Sequence, residues 1–360
     1  MSNFEETMKA ELNTVNQALA EYMDLKVKQG QQLGLIHEHY YRSVTEYLTR
    51  GGKRLRPLLV VTGYKAVSEQ VKLKHLYRAS CALELLHNGS LLHDDLIDHD
   101  ETRRGGPTMH ALYREWYKKN RRSDEERARD FGAAMAILGG DILLNMGCQI
   151  ITDSNLDPET ATACFKYYQD AYQQLADGVM LEMVMIQDPN ASPDMYLTMV
   201  RLKTAVLFEK SLLMGATMAR ASASQLSALG TFGVKVGQAF QMQDDILGSF
   251  GDERVTGKSA DGDIREGKKT MLVIQAYALG SEAHRKTLES LLGKQNMTAD
   301  EVATVRKVFK ESGALDAATR IMKQLLAEGK AALDSAKPPL NPKGKQFLVD
   351  LADFLIERAY

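Results

Sequence analysis

The sequence has little of what disulfide-linked or polyanion-binding proteins require. Its 360 residues include 3 cysteines and 8 prolines, and 45 lysines and arginines are balanced by 47 aspartates and glutamates, for a net charge of −2. An odd, small number of cysteines in apolar stretches indicates buried thiols in a reducing compartment. A near-neutral charge argues against a surface that wraps nucleic acid.

The chain also lacks the long apolar runs and the breaks that would divide or anchor it. No uninterrupted apolar run reaches the roughly 18 residues of a membrane span. The start, MSNFEETMKAEL, is polar and acidic rather than signal-like. No linker-like tract interrupts the sequence, and 44% hydrophobic residues suffice for a large core. We therefore expect one soluble, cytoplasmic domain over residues 1–360 without stable membrane insertion.

Helical periodicity dominates, and strand signals are almost absent. A first helix should begin near Ser2 or Asn3, and a second should run through LIHEHYYRSVTEYLTR and stop at Gly51-Gly52. A last helix should end near Arg358, and the mixed-charge stretch 118–130 is interpreted as a solvated loop or helix end. Further helices are predicted near 73–95, 130–151, 158–187, 194–220, 224–249, 269–279, 284–293, 298–312 and 314–335. The pattern predicts an all-α single-domain bundle, in which side chains projecting between helices form the site.

An acidic stretch, HDDLIDHDETRRGG, ends the apolar segment CALELLHNGSLL. Asp94 and Asp98 are four residues apart and therefore share one helix face, where like charges repel unless a cation lies between them. His87 and Ser90 continue that face toward the helix start. A solvated acidic helix end is the alternative interpretation. The spacing excludes an EF-hand loop.

A second stretch, QMQDDILGSFGD, places Asp244 and Asp245 at the end of another apolar helical segment. Two such pairs could face each other across the interior of a bundle. Four or more carboxylates without a cation of their own require a metal, and oxygen-only ligands that leave room for water favour Mg²⁺.

Lysines and arginines cluster at predicted loops or near the acidic stretches. They occur in GGKRLRP, RRGG, RLKTAVLFEK and GKSADGDIREGKK. Each alone is typical of a solvated surface, but beside two carboxylate pairs they indicate a site that binds phosphate groups. A P-loop, G-x-S-x-G and H-E-x-x-H are all missing from the sequence, which argues against an ordinary nucleotide cradle and against these hydrolase chemistries.

Taken together, these motifs resemble those of the trans (head-to-tail) polyprenyl diphosphate synthases, which include farnesyl and geranylgeranyl diphosphate synthases. The match runs in order through GGKRLRP, LLHDDLIDHDETRRGGPT, GGD, Lys203-Thr204, FQMQDDILG and GDERVTGKSADGDIREGKKT, over about 50–270. The resemblance implies the all-α isoprenoid synthase fold with a central cavity, a homodimer, two or three Mg²⁺ ions and small-molecule diphosphate substrates. It is closest to the geranylgeranyl-type members.

Roles for individual residues follow from the resemblance alone. The residues implied to act in catalysis are Asp94, Asp95, Asp98, Arg103, Lys203, Asp244 and Asp245, with Asp94, Asp98 and Asp244 as metal ligands. Isopentenyl diphosphate would bind Lys53, Arg56, His87 and Arg104. The allylic diphosphate would bind Arg103, Lys203, Thr204, Gln241, Lys258 and Lys268. The implied reaction ionises the allylic diphosphate, adds the carbocation to isopentenyl diphosphate and eliminates a proton.

One position departs from the family pattern. Gly248 stands where many members carry a third aspartate in the second motif, and either Asp252 or water could complete the metal coordination there. Because some members also read DDILG, we expect activity to be retained.

Product length in this family depends on side-chain bulk below the first motif. Farnesyl-producing members carry aromatic residues where this chain has Gly89 and Ser90, and Leu85 and Leu86 lie one turn deeper. We therefore predict a C20 or somewhat longer product, with geranylgeranyl diphosphate as the leading expectation. The alternative is that Gly89 and Ser90 only permit close helix packing.

Three other functions are weighed against chain elongation to C20. One is farnesyl diphosphate synthesis. A second is class I terpene cyclisation, against which the basic motifs GGKRLRP and RRGG argue. The third is a non-catalytic regulatory subunit, which should have lost motif residues that this chain retains, apart from the change at Gly248.

Overall fold

The computed structural model describes residues 3–69, 74–121, 124–251, 261–294 and 296–357. Across these ranges the structure is helical, apart from turns and a hairpin of β1 (Thr102–Arg103) and β2 (Gly106–Pro107), paired antiparallel. The prediction of an all-α protein is confirmed. The helices are α1 Asn3–Leu33, α2 Leu35–Thr49, α3 Leu55–Lys65, α4 Lys74–Ile97, α5 Met109–Arg121, α6 Glu125–Thr152, α7 Pro158–Gln187, α8 Pro193–Val200, α9 Val206–Met218, α10 Ala223–Phe250, α11 Gly262–Glu266, α12 Met271–Leu279, α13 Glu282–Leu291, α14 Ala299–Glu311, α15 Ala314–Ala332 and α16 Pro342–Ile356.

The long, periodic helices lie close to their predicted bounds, whereas three helices were not predicted. The helix α3, LRPLLVVTGYK, contains proline, glycine and β-branched residues that weaken helix propensity. Nine of its residues are nevertheless buried, so packing overrides propensity. The polar helix α5 and the five-residue α11 were also missed. A π-helical turn, Arg201–Ala205, joins α8 to α9, and a 3₁₀ turn, Leu333–Ser335, follows α15.

The helices α4 and α6 approach each other closely because small residues lie where they meet. A Cβ atom added to Gly89 would lie 3.0 Å from the carbonyl oxygen of Gly140. Gly140 in turn leaves room for the ring of His93, and Gly139 for the hydroxyl of Tyr40. These contacts set the position of α4, whose carboxyl end carries the first acidic motif.

The core draws on distant parts of the chain. One buried cluster joins Leu58 of α3, Phe208 of α9 and Leu348 of α16. Two others centre on the amino-terminal helices, around Leu85 and Leu143, and on the carboxyl-terminal helices, around Val305. Side chains from both ends of the sequence therefore support the helices that carry the motifs.

Candidate active site

Both acidic motifs lie at the carboxyl-terminal ends of core helices. Asp94 and Asp95 occupy the last turn of α4, Asp98 follows that helix directly, and Asp244 and Asp245 lie within the last two turns of α10. Neither helix has a lysine or arginine in its last turn. The helix dipole is negative at this end, so the carboxylates are placed where a cation from elsewhere is needed.

In the first pair, the second aspartate is held inside the protein. Asp95 is fully buried, and its Oδ2 atom accepts a hydrogen bond of 2.7 Å from the hydroxyl of Tyr47 on α2. Its Oδ1 atom accepts from Nε of Arg103, which also pairs with Asp100 at 3.2 Å. Arg103, predicted to bind the allylic diphosphate, therefore contacts two carboxylates in this structure.

Asp94 lies in a different electrostatic environment. Burial raises its pKa, Lys203 opposes that rise, and Asp98 and Glu182 add to it. Lys203 contacts Glu182 through its ammonium group. Burial lowers the pKa of Lys203, but Glu182 and Asp94 outweigh burial and raise it. Lys203 thus remains charged beside the first aspartate motif.

The second pair repeats the arrangement of the first. Oδ2 of Asp245 accepts a hydrogen bond of 2.6 Å from the hydroxyl of Tyr196 on α8, and Oδ1 accepts one of 2.8 Å from Gln241. Thr204 donates to Gln241 at 2.7 Å, which connects the π-helical turn to α10. Burial, with Asp263 nearby, raises the pKa of Asp245.

The segment GGKRLRP separates into structural and site-facing cations. Arg54 is 5% exposed and donates at 2.7 Å both to Glu84 and to the carbonyl oxygen of Leu48. Arg56 instead has an Nε atom that is buried without a hydrogen-bond partner. Burial lowers its pKa, while Glu84 and Asp244 of the second motif raise it. Arg56 therefore lies within electrostatic reach of the second motif.

The glycines before these cations have a geometric function. Gly51 and Gly52 have φ angles of 93° and 110°, which residues with side chains rarely adopt. A Cβ atom on Gly52 would lie 3.2 Å from the guanidinium of Arg104, which also donates to the carbonyl oxygen of Gly51 at 3.2 Å. Lys53 follows on the exposed part of this loop. The two basic motifs predicted to bind isopentenyl diphosphate thus come together.

His87 lies inside this basic region. Burial lowers its pKa well below the usual range, and Arg56, Arg104, Arg103 and Arg54 lower it further. The imidazole is therefore neutral near pH 7 and can offer one N–H donor to a phosphate oxygen.

The helix α11 brings a further carboxylate to the second motif. A Cβ atom on Gly248 would lie only 2.9 Å from Oδ2 of Asp263. Lys268, predicted to bind the allylic diphosphate, contacts Glu266 at 2.7 Å and Asp263 at 3.8 Å. Asp263 thus lies beside the position where many family members carry their third aspartate, whereas Asp252 and Lys258 lie outside the described residues.

The residues predicted to limit product length divide between two faces of α4. Gly89 lies against α6, where a side chain would meet Gly140, so it permits close helix packing. Ser90 lies one turn before Asp94 on the same helix face, and Leu86 lies one turn deeper. Leu85 and Leu86 are fully buried.

A divalent metal fits the residues at the two helix ends. The donors are carboxylate oxygens, which hard cations prefer. Within the described ranges, no three acidic, cysteine or histidine side chains already converge as a complete metal site. Substrate oxygens and water would therefore complete the coordination, as is usual for Mg²⁺.

The sequence motifs predicted the acidic and basic residues of the candidate site but not the side chains that contact them. Tyr47 and Tyr196 lie 48 and 49 residues away from the aspartates they contact, and nothing in the sequence distinguishes them from core tyrosines. Glu182, the partner of Lys203, was missed for the same reason. Asp263 is not among the predicted site residues, although its charge within GKSADGDIREGKK is a sequence signal that could have indicated it.

Two aspartate pairs, each with one buried member, lie beside lysine and arginine clusters on an all-α bundle, an arrangement typical of a diphosphate-binding enzyme of the isoprenoid synthase fold. Comparison with known proteins agrees. The family described as Polyprenyl synthetase matches residues 37–310. The chain is 34% identical over 322 residues to a short chain isoprenyl diphosphate synthase from Methanocaldococcus jannaschii, covering 89% of each chain.

Two further proteins extend the comparison. A geranylfarnesyl diphosphate synthase from Aeropyrum pernix is 33% identical over 311 residues, covering 86% of this chain and 91% of its own. The crystal structure of a geranylgeranyl pyrophosphate synthase from Corynebacterium glutamicum, in complex with isoprenyl diphosphate and magnesium, aligns with a TM-score of 0.89 at 28% identity. It covers 96% of this chain and 98% of its own. The chain belongs to the polyprenyl synthetase family and is a trans-prenyltransferase.

Proposed function

We propose that the protein condenses isopentenyl diphosphate with an allylic diphosphate and releases geranylgeranyl diphosphate or a somewhat longer chain. The observation that carries this proposal is the pairing of two aspartate motifs, at the ends of α4 and α10, with basic residues from separate segments. Two sets of cations suit two diphosphate substrates, whereas a terpene cyclase would need only one set, for its single diphosphate substrate.

Asp94, Asp98 and Asp244 are the residues that would hold Mg²⁺. A metal held there would supply Lewis-acid stabilisation of the negative charge on the diphosphate leaving group. The protein's share of this task is to hold the carboxylates apart and in fixed directions at the two helix ends.

Lys203, Lys268 and Arg103 would bind the oxygens of the allylic diphosphate. All three contact carboxylates in this structure, namely Glu182, Glu266 and Asp95. Their charge is thereby held in place before the substrate arrives, so little reorganisation accompanies ionisation of the C–O bond. Thr204, Gln241 and Lys258 are further proposed ligands of the allylic diphosphate, and Thr204 and Gln241 are connected to Asp245 by hydrogen bonds in this structure.

Arg56, Arg104 and His87, together with Lys53, would bind isopentenyl diphosphate. The unpartnered Nε atom of Arg56 supports this role because a buried donor without an acceptor is costly unless a ligand supplies one. Held there, the double bond of isopentenyl diphosphate can add to the allylic carbocation. The released diphosphate would take the proton lost from the adduct.

The side chains of α4 below Asp94 would bound the growing chain. Ser90 is small, and Leu86 is the next bulky residue on that face, which supports a product longer than C15. The apolar lining would also exclude water from the carbocation. The names of the relatives, which include geranylgeranyl and geranylfarnesyl diphosphate synthases, support the same range.

A homodimer is proposed on the basis of exposed apolar residues on α6 and α7. Among the described helices, α6 alone is long and apolar enough to span a membrane, and half of that stretch is buried within the fold. Ile137 and Leu138 on α6 are 47% and 52% exposed, and Met183 on α7 is 54% exposed. A partner helix would cover these residues. Sedimentation of wild type and of the Ile137→Glu variant should show a dimer and a monomer, respectively.

Incubation with Mg²⁺, isopentenyl diphosphate and dimethylallyl, geranyl or farnesyl diphosphate tests the function, with products separated by chain length. A C20 or longer product supports the proposal, and a product that stops at C15 would indicate the farnesyl alternative. No product from any primer would overturn the proposal and favour the regulatory-subunit alternative.

A further inference from the structure

The two aspartate pairs are held by the same kind of contact. In each pair the second aspartate accepts a hydrogen bond from a buried tyrosine hydroxyl, at 2.7 Å between Tyr47 and Asp95 and at 2.6 Å between Tyr196 and Asp245. The tyrosines are 3% and 0% exposed. We refer to these two contacts as the tyrosine clamps.

In each clamp, both carboxylate oxygens of the aspartate accept a hydrogen bond, so its side chain is held in one orientation. The second carboxylate oxygen of Asp95 accepts from Arg103, and that of Asp245 accepts from Gln241 at 2.8 Å. Consecutive residues on an α-helix lie about 100° apart around its axis, so anchoring the second aspartate holds the helix end against rotation about that axis. The clamps therefore keep the helix faces that carry Asp94 and Asp244 turned in fixed directions.

The tyrosines come from helices that lead directly to the basic residues. Tyr47 lies on α2, four residues before Gly51 and the basic segment that follows it. Tyr196 lies on α8, which continues into the π-helical turn that carries Lys203. Each hydroxyl thus joins a carboxylate helix to a segment that carries cations of the site.

We propose that Tyr47 and Tyr196 are positioning residues. They orient the proposed metal-binding aspartates and fix their position relative to the diphosphate-binding cations. This inference rests on the proposed Mg²⁺ site. The tyrosines would contact neither metal nor substrate and would act only through Asp95 and Asp245. Removing a partner that orients a metal ligand typically weakens metal affinity or activity by about 10- to 100-fold.

The test uses the full-length protein with Tyr47→Phe or Tyr196→Phe, each of which removes one oxygen atom. Tyr168→Phe is the matched control, because Tyr168 is 2% exposed and donates at 2.6 Å to the carbonyl oxygen of Leu144. The measured quantity is the Mg²⁺ concentration that half-saturates thermal stabilisation in the presence of inorganic pyrophosphate. Steady-state kinetics give kcat and the KM for isopentenyl diphosphate separately.

We expect the half-saturating Mg²⁺ concentration to rise about 10-fold or more in each clamp variant and to stay at the wild-type value in Tyr168→Phe. In the Tyr196→Phe variant, kcat should fall while the KM for isopentenyl diphosphate is retained. A metal dependence in both clamp variants equal to that of Tyr168→Phe would overturn the inference, whatever their loss of thermal stability.

Two controls keep the outcomes separate. If one variant does not fold, the other decides, because each clamp acts on its own aspartate pair. If wild type shows no Mg²⁺-dependent stabilisation with pyrophosphate, the proposed metal site itself is wrong and the positioning role falls with it. A normal wild-type response with unshifted clamp variants refutes only the clamps.

Discussion

Two arginines of the segment GGKRLRP should respond to substitution in different ways. Arg54→Met removes the guanidinium that donates to Glu84, to Leu48 and, at 3.2 Å, to Asn16. The side chains of Arg54 and Glu84 are 4% and 2% exposed, so Glu84 would remain as a buried charge without its partner. Breaking a buried ion pair in this way costs about 3–5 kcal/mol, a large part of a typical folding free energy of about 5–15 kcal/mol.

Arg56→Met should lower the free energy of unfolding by at most about 2 kcal/mol, because it removes only the cation–π contact of the guanidinium with the Phe208 ring. The Nε atom of Arg56 is already buried without a partner, and burial lowers the pKa of its guanidinium. Its contribution would be made to the substrate. Loss of a hydrogen bond from a charged group, about 1.5–3 kcal/mol, corresponds to a decrease in kcat/KM for isopentenyl diphosphate of roughly 10- to 150-fold.

Urea unfolding followed by circular dichroism gives the stabilities, and initial rates at varied isopentenyl diphosphate give kcat/KM. The Arg54→Met/Glu84→Leu double variant is the control, because replacing both charges with apolar groups should recover most of the lost stability. The reasoning is refuted if Arg54→Met unfolds at the wild-type urea concentration, or if Arg56→Met loses several kcal/mol of stability and keeps full activity.

Three further predictions concern other parts of the site. Gly248→Ala should displace Asp263 and lower kcat, whereas Gly230→Ala on the same helix meets only ordinary contacts from 3.6 Å and should add up to about 1 kcal/mol of stability without changing kcat. Ser90→Phe should shorten the product, as chromatography of the reaction mixture would show. The pKa of His87 is held low in the native protein. Below about pH 6.5 the unfolded chain therefore takes up a proton that the native protein does not, and the free energy of unfolding decreases as the pH decreases. His87→Gln should reduce that fall, by at most about 1.4 kcal/mol per pH unit, in urea unfolding between pH 5 and 7.

These three predictions have separate contrary outcomes. Equal kcat in the two glycine variants would mean that Asp263 has no part in the reaction. An unchanged product from a folded Ser90→Phe enzyme would remove Ser90 from the boundary of the chain. Parallel pH profiles for His87→Gln and wild type would show that this histidine titrates alike in the folded and unfolded chain.

Local regularities explain why much of the fold could be predicted from the sequence. Long amphipathic or apolar helices such as α7 and α10 carry their own 3.6-residue period and end at recognisable caps, including the capping box of Ser222 that begins α10. The helix α3 could not be predicted in this way, because its sequence favours other structures and burial decides its conformation.

The candidate site shows the same division between local and distant information. The spacing of Asp94 and Asp98 follows from helix geometry, so their shared face could be predicted. The different roles of Arg54 and Arg56 could not be predicted, because they depend on the ion pair that Arg54 forms with Glu84 of α4. Likewise, the small size of Gly89 suits the lining of a cavity, and only the position of α6 shows that Gly89 lies in a contact between two helices.

The central claim is that the two aspartate-bearing helix ends together activate an allylic diphosphate with Mg²⁺. The direct measurement is the initial rate of condensation against Mg²⁺ concentration for wild type, Asp94→Asn and Asp244→Asn, with EDTA as the zero point. We predict no product in EDTA, a rate that rises with Mg²⁺ in wild type, and rates at least about 100-fold lower in each variant. Product formation in EDTA, or wild-type rates in both variants, would contradict the claim.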